Sequence, residues 1–268
     1  MVAIKTEEST FSARDGTDLK YFMAWPDDSA RHPSIIVVQE IWGLTPFIKD
    51  VCRELAEHGF VAIGPHLYSR KDLVDILTEE NIMDTMRHFW SIPPEKRQDQ
   101  AAMSEIMSKF NDVQRKVANL LLTQRDALSN YFLSCIEDTY NFIQKRNNHQ
   151  RIGITGFCMG GGLAFQASTM LTFDSSVIFY GANPKPIDSI SKIKGEVLGI
   201  YAGEDSNIND GLPELIAGVV RNHVKFQLNI YPGTQHAFFN HTGMSYNKEA
   251  SELAREQMHS FFHRTLVK

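Results

Sequence analysis

The sequence predicts an α/β fold: a mainly parallel central sheet with helices on both faces and an N-terminal antiparallel hairpin. Three observations lead there. Short continuous apolar runs such as Ser34–Gln39 (SIIVVQ) recur along the chain, the pattern of strands buried on both faces. From Arg151 onward these runs alternate with segments of helical spacing, the order that packs helices on both sides of a parallel sheet. The chain has 268 residues, 43% hydrophobic and 22% charged, ordinary globular chemistry for a domain that needs no staple.

Residues 9–12 and 19–24 alternate apolar and polar around Asp15-Gly16, which predicts the hairpin. Ser34–Gln39 follows as a buried strand. Thr45–His58 has helical spacing with Gly59 as its stop, and Phe60–Gly64 is the next short strand. No glycine occurs between Gly64 and Gly153. Apolar residues recur there at helical spacing through Leu73–Phe89, Met103–Leu122 and Leu128–Ile143, with a break at Ser91–Pro94. This is longer than a crossover helix needs, so a helical insertion or lid is expected within residues 71–130 of a single domain spanning 1–268. Trp90, Phe89 and Phe110 are candidate lining residues, although aromatics at this spacing are more often core. Strands are then expected at Arg151–Gly156, Ser175–Gly181, Glu196–Gly203 and Val224–Tyr231. Helices are expected at Gly160–Thr169, Leu212–Asn222 and Tyr246–Leu266.

Composition narrows the partners. Lys plus Arg number 27 against 32 Asp plus Glu, a formal charge of −5, so nothing general draws the chain to nucleic acid or anionic lipid. No stretch reaches the roughly 20 apolar residues of a bilayer span, and Met1–Thr10 lacks the apolar core of a secretory signal. Cys52, Cys135 and Cys158 are odd in number and far apart, which argues against a disulfide framework or zinc knuckle and for a reducing, cytoplasmic setting. The expected partner is a small molecule, and monomer and homodimer both stay open.

The chemistry lies in Gly156-Phe157-Cys158-Met159-Gly160-Gly161, between a predicted strand and a predicted helix. G-x-C-x-G is a nucleophile elbow with cysteine in place of serine. The turn is too tight for neighbouring side chains, and the next helix aims its N-terminal amides at the sulfur. The bland alternative is a small buried cysteine in a glycine-rich turn. A thiol near its reference pKa is barely ionised at neutral pH and needs a base, which needs an orienting acid. In hydrolases of this elbow type the acid and then the histidine follow the nucleophile along the chain. Asp205 lies just past the strand Glu196–Gly203, with Glu204 and Asp210 as rivals. His236 follows the strand Val224–Tyr231, with His241 as rival, whereas His223, His259 and His263 sit in helical contexts. The loop after the buried strand Ser34–Gln39 ordinarily supplies the second oxyanion amide. Ile41 N–H is therefore paired with Met159 N–H as the candidate oxyanion hole, and Glu40 would bring a carboxylate into the same cleft.

Taken together, these segments resemble the dienelactone hydrolase family, carboxymethylenebutenolidases and their relatives. The matching residues are Gln39-Glu40-Ile41-Trp42-Gly43, the run Phe60–Tyr68 (FVAIGPHLY), Gly156–Gly161, Gly203-Glu204-Asp205 and Tyr231–Phe238 (YPGTQHAF). They stand in order and span most of the chain outside residues 71–150. The resemblance implies the α/β-hydrolase fold and a Cys158-Asp205-His236 triad. It also implies that Glu40 hydrogen-bonds the resting thiol until substrate displaces it. The implied reaction is hydrolysis of a lactone or small carboxylic ester through an acyl-enzyme, without metal or organic cofactor. Trp42, Tyr68, Arg87 and Phe238 are the expected substrate-binding residues. Three positions depart from the pattern. His66 stands where the family often has Asp, and Asn240 stands where an arginine binds the substrate carboxylate. The second such arginine falls in the divergent region, where Arg87 and Arg97 are candidate stand-ins. The alternatives to a lactonase are an esterase or thioesterase for another ester, a ligand-binding protein on the hydrolase fold, and a redox-sensing thiol.

Overall fold

The computed structural model describes residues 2–92, 99–146 and 150–267. Gly16, at φ +82°, turns the chain between β1 (Ile4–Ser12) and β2 (Asp18–Pro26), which pair antiparallel as expected. The remaining strands are β3 (Ser34–Val38), β4 (Val61–Pro65), β5 (Ile152–Phe157), β6 (Ser175–Phe179), β7 (Glu196–Ala202) and β8 (Phe226–Tyr231). Among the described residues they form one eight-stranded sheet in the order β1-β2-β4-β3-β5-β6-β7-β8. β2 runs antiparallel to β4, and β3 through β8 are mutually parallel. β3, β5 and β6 are buried along their whole length, which is why they read as unbroken apolar runs.

Alternate side chains of these strands feed two cores. On one face Ile36, Val38 and Ile154 join α5 (Arg125–Arg146), α6 (Met159–Ser168) and α8 (Leu212–Arg221). On the other, Ile35, Val37 and Val177 join α1 (Pro46–Glu57) and α9 (Lys248–Leu266). The sheet is thus covered on both sides, and the C-terminal ends of β3 and β5 to β8 share one rim.

The stretch between β4 and β5 is helical, but its boundaries differ from the periodicity. Residues 70–77 are tight turns, with Leu73 N–H bonded to Arg70 C=O at 2.9 Å. α2 begins only at Glu79 and runs to Trp90, behind Thr78, whose hydroxyl caps Asn81 N–H at 3.2 Å. The expected helix Met103–Leu122 is split into α3 (Gln100–Ser108) and α4 (Asp112–Ala118). Asn111 and Gln114 form a reciprocal capping box that restarts the helix; Asn-x-x-Gln is the sequence signal for such a restart. A π-helical turn at Asn119–Thr123 leads into α5. α2 to α4 share a small core of their own, Phe89, Ile92, Phe110 and Ala118, ringed by Met86, Met103, Ile106 and Met107. A short α7 (Ser206–Asn209), not visible in the periodicity, follows β7. Among the described residues no helix is long and apolar enough to cross a membrane.

Candidate active site

Steric necessity builds the elbow. Cys158 sits between β5 and α6 at φ +56°, a conformation that costs a non-glycine residue free energy and persists only when its surroundings enforce it. They do: a Cβ on Gly156 would stand 2.1 Å from Gly160 C=O, and one on Gly160 would stand 2.3 Å from Gln39 C=O. Cys158 N–H is tied to Phe179 C=O on β6 at 3.1 Å. The Cys158 side chain is half-buried, while Cys52 and Cys135 are buried, and all three are free thiols.

Asp205 and His236 are carried on adjoining loops stitched together by main chain. Gly203 N–H donates to Tyr231 C=O at 2.8 Å, and Glu204 N–H donates to Thr234 C=O at 2.9 Å. Asn209 of α7 ties the acid loop down by donating to Ala202 C=O at 2.8 Å. The buried Asp205 carboxylate hydrogen-bonds His236 Nδ1, which leaves Nε2 as the nitrogen available to the sulfur. Burial disfavours the charged ring. The hydrogen bonds to Asp205 and to the Cys158 sulfur, with the charges of both, outweigh that and raise His236 to about 10. The rivals lie elsewhere: Glu204 and Asp210 are exposed, and His241 lies 3.7 Å from Asp50.

The loop after β3 closes the cleft. Met159 N–H is at the first position of α6, where the helix offers no acceptor. Ile41 N–H has no hydrogen-bond acceptor among the described residues, and its carbonyl accepts from Tyr68 Oη at 2.7 Å. Gln39 anchors the same loop by accepting from Leu67 N–H at 3.1 Å. Glu40 is 1% exposed. Burial lifts its carboxyl to about 7, against the opposing hydrogen bond from Asn240 and the charge of His236. Asn240 Nδ2 donates to Glu40 Oε2 at 2.7 Å, and Oε1 has no partner among the described residues. No group of three or more His, Cys, Asp or Glu side chains among the described residues is arranged to hold a metal ion.

Two expected lining residues prove to be framework. Phe238 is fully buried, with its ring against Tyr180 and Tyr231 at 5.8 and 5.3 Å; it floors the histidine loop because the chain turns inward straight after His236. Tyr68 is equally buried and spends its hydroxyl on Ile41 C=O, so it braces the loop after β3. Trp42 is half-buried and meets Trp90 of α2 edge-on at 5.9 Å, which joins the helical segment to the cleft loop. Arg87 is exposed on α2, one turn before Trp90. Arg97 lies outside the described residues. Phe89 and Phe110 pack together at 5.4 Å inside the small core. Sequence reasoning missed Tyr180, whose ring lies 5.0 Å from that of His236, and the Asn240–Glu40 bond. The resemblance had marked Asn240 only as standing at the position of a substrate-binding arginine.

A parallel sheet with its nucleophile elbow at the β5–α6 junction, and an acid and a histidine on the next rim loops, defines an α/β-hydrolase. The comparisons with known proteins narrow this. The sequence profile of the dienelactone hydrolase family matches residues 19–266, and the chain belongs to that family. A protein of Saccharolobus solfataricus, named as a candidate carboxymethylenebutenolidase, is 43% identical over 96% of this chain and 98% of its own length. One from Methylorubrum extorquens with the same name is 30% identical over 90% of this chain and 75% of its own length. The crystal structure of a candidate dienelactone hydrolase from Klebsiella pneumoniae superposes with a TM-score of 0.71 at 24% identity, covering 98% of this chain and 99% of that one. Membership of the family supports a hydrolase acting on a lactone or ester.

Proposed function

We propose that the protein cleaves small carboxylic esters or lactones through a cysteine acyl-enzyme, with Cys158 as nucleophile, His236 as base and Asp205 as its orienting acid. The observation that carries this reading is the line from Asp205 through His236 Nδ1, with Nε2 left for the Cys158 sulfur. The thiol proton resides on His236, whose ring is held charged by Asp205 and by the Cys158 sulfur, and the thiolate attacks the carbonyl carbon. Ile41 and Met159 amides receive the oxyanion, each worth about 3 kcal/mol in comparable sites. The alkoxide leaves with the proton from His236. Water then attacks the thioester with His236 again as base, releasing the acid and restoring the thiol. Glu40 holds the resting thiol, as the family resemblance implies. α2 to α4 act as a lid, with Trp42 and Trp90 as one wall of the pocket and Arg87 near its outer edge.

The test is a panel of p-nitrophenyl esters and small lactones with wild type, Cys158→Ala and Asp205→Asn. Wild type is expected to turn over at least one class, and Cys158→Ala to lose roughly a thousandfold or more in kcat. Undiminished hydrolysis by Cys158→Ala would overturn the assignment of the nucleophile.

A further inference from the structure

The sheet has two edges, and they are guarded unequally. β1 carries Lys5, Glu7 and Glu8, and Lys5 and Glu8 are engaged by Asp27 at 2.5 Å and Lys49 at 2.6 Å. Charge on an edge strand keeps it from pairing with another chain. β8, at the far edge, reads Phe-Gln-Leu-Asn-Ile-Tyr and has no charged residue. Exposed apolar side chains stand on it and on both helices beside it: Ile230 on β8, Ile216 and Val220 on α8, and Leu253 on α9.

The hydrogen-bonding groups left over on β8 follow from its pairing with β7. The carbonyls of Lys225 and Tyr231 accept from Val197 and Gly203 N–H at 2.9 and 2.8 Å. In a parallel ladder every second residue turns N–H and C=O to the same neighbour, so Phe226, Leu228 and Ile230 turn theirs outward. Among the described residues β8 has a strand beside it only on the β7 side, and these groups face none. The same alternation sorts the side chains. Phe226 and Leu228 pack into the core on the α8 face, and Tyr231 into the core on the α9 face, where its hydroxyl donates to Gln257 at 3.1 Å. Ile230 has the parity of the first face, and Lys225 that of the second.

This edge is complementary to itself. A two-fold axis normal to the sheet at Leu228 lays β8 antiparallel on a second copy. Leu228 then faces Leu228, and Phe226 faces Ile230, on the α8 side. These three are the residues with outward backbone groups, so each N–H and C=O meets a partner across the axis. On the α9 side Lys225 arrives beside Tyr231 of the second copy. Glu256 lies there too, on the groove that α9 forms with Asn229 and Tyr231. Lys225 and Glu256 are both exposed, and among the described residues neither belongs to an ion pair of its own chain. The symmetry makes that contact twice.

We propose that the β8 edge is the interface of a homodimer, in which β8 pairs antiparallel with its copy around Leu228 and joins the two sheets into one. Ile216, Val220 and Leu253 lie along the seam, and Lys225 and Glu256 close its two ends. An unrelated strand could satisfy the backbone, but only a second copy returns Lys225 to Glu256 at both ends. The inference does not depend on the chemistry proposed for the cleft, because no residue of the seam takes part in it.

Sedimentation velocity of the full chain over about 1–100 μM is expected to show a dimer with a Kd in the micromolar range. Ile230→Lys sets a charge opposite Phe226 twice and is expected to weaken the dimer by roughly a hundredfold or more. Lys225→Glu or Glu256→Lys alone brings like charges together at both ends, with a loss of about tenfold at low salt. The two combined restore both attractions and are expected to recover wild-type association, an outcome that damage to the fold cannot imitate. These positions are exposed, so they carry the test if Ile230→Lys does not fold. Hydrogen exchange over residues 224–231 is expected to be slower in the wild-type dimer than in the Ile230→Lys monomer. A wild type that stays monomeric throughout the range overturns the inference. A dimer that survives Ile230→Lys, or one that the combined charge swap does not recover, overturns it as well.

Discussion

The rim that carries Cys158, Asp205 and His236 and the α2–α4 segment are held by opposite kinds of force. At the rim the backbone itself is the structure. Cys158 is kept at a positive φ, and glycines stand where a single methyl would strike a carbonyl at 2.1 to 2.3 Å. The polar groups there are bonded one to one, from Asp205 to His236 and from Asn240 to Glu40. α2 to α4 instead share a small apolar core with Met86, Met103 and Met107 at its edge, and methionine adapts to irregular gaps. The first region tolerates no change of shape, and the second is built to absorb one. The rim is thereby fixed in shape while the α2–α4 segment is left adjustable.

The largest test of that contrast is Gly160→Ala. Its Cβ would sit 2.3 Å from Gln39 C=O and 2.5 Å from Val38 C=O, both main-chain atoms that cannot yield without moving β3. A loss above about 4 kcal/mol is expected, read as a fall in Tm of roughly 10 °C or more. Melting alongside wild type would break the comparison on the rim side.

Glu40→Gln comes next and sharpens the contrast, because it should stabilise. The folded carboxyl titrates at about 7 instead of 4.5. Ionising it therefore penalises the folded state increasingly from about pH 4.5 to 7 and by a constant amount above that. A neutral amide at this position removes the penalty. The variant is expected to gain about 2–3 kcal/mol at pH 8 and almost nothing at pH 4.5, measured by urea denaturation at both pH values. An equal gain at both would mean that the charge of Glu40 is not what limits stability.

The smallest effect is expected on the soft side. Trp90→Ala deletes one ring of the Trp42–Trp90 pair, a contact worth about 0.5–1.5 kcal/mol. Steady-state kinetics should show kcat/KM changed by no more than about tenfold, with the ranking of esters by size altered more than kcat itself. A collapse of kcat for every ester would show that α2 is as rigidly coupled to the chemistry as the elbow.

Much of this architecture was legible in the residues, for definite reasons. Strands such as Ser34–Val38 announce themselves because burial on both faces leaves no polar position, and Gly156-x-Cys158-x-Gly160 does so because the turn excludes side chains. The order Cys158, Asp205, His236 follows from successive parallel strands delivering their loops to one rim. What the chain hid was of two kinds. Tyr68 and Phe238 sit in motif segments and look available, yet burial is decided by tertiary packing that no local pattern reports. The Asn240–Glu40 bond joins residues 200 positions apart, and nothing in either segment names the other. The helical periodicity over Met103–Leu122 survived a break at Asn111 because α3 and α4 both turn apolar faces to one small core.

The stitching of Gly203 to Tyr231 and of Glu204 to Thr234 uses only peptide groups. The spacing between the Asp205 and His236 loops is consequently independent of the identity of most residues in them. Exposed positions such as Glu204, Ser206, Asn207 and Gln235 are free to drift or to be randomised in a library while the dyad stays in register. A lineage or an engineer exploring new substrates on this scaffold can therefore rewrite the rim's outer surface one residue at a time without first rebuilding the machine beneath it.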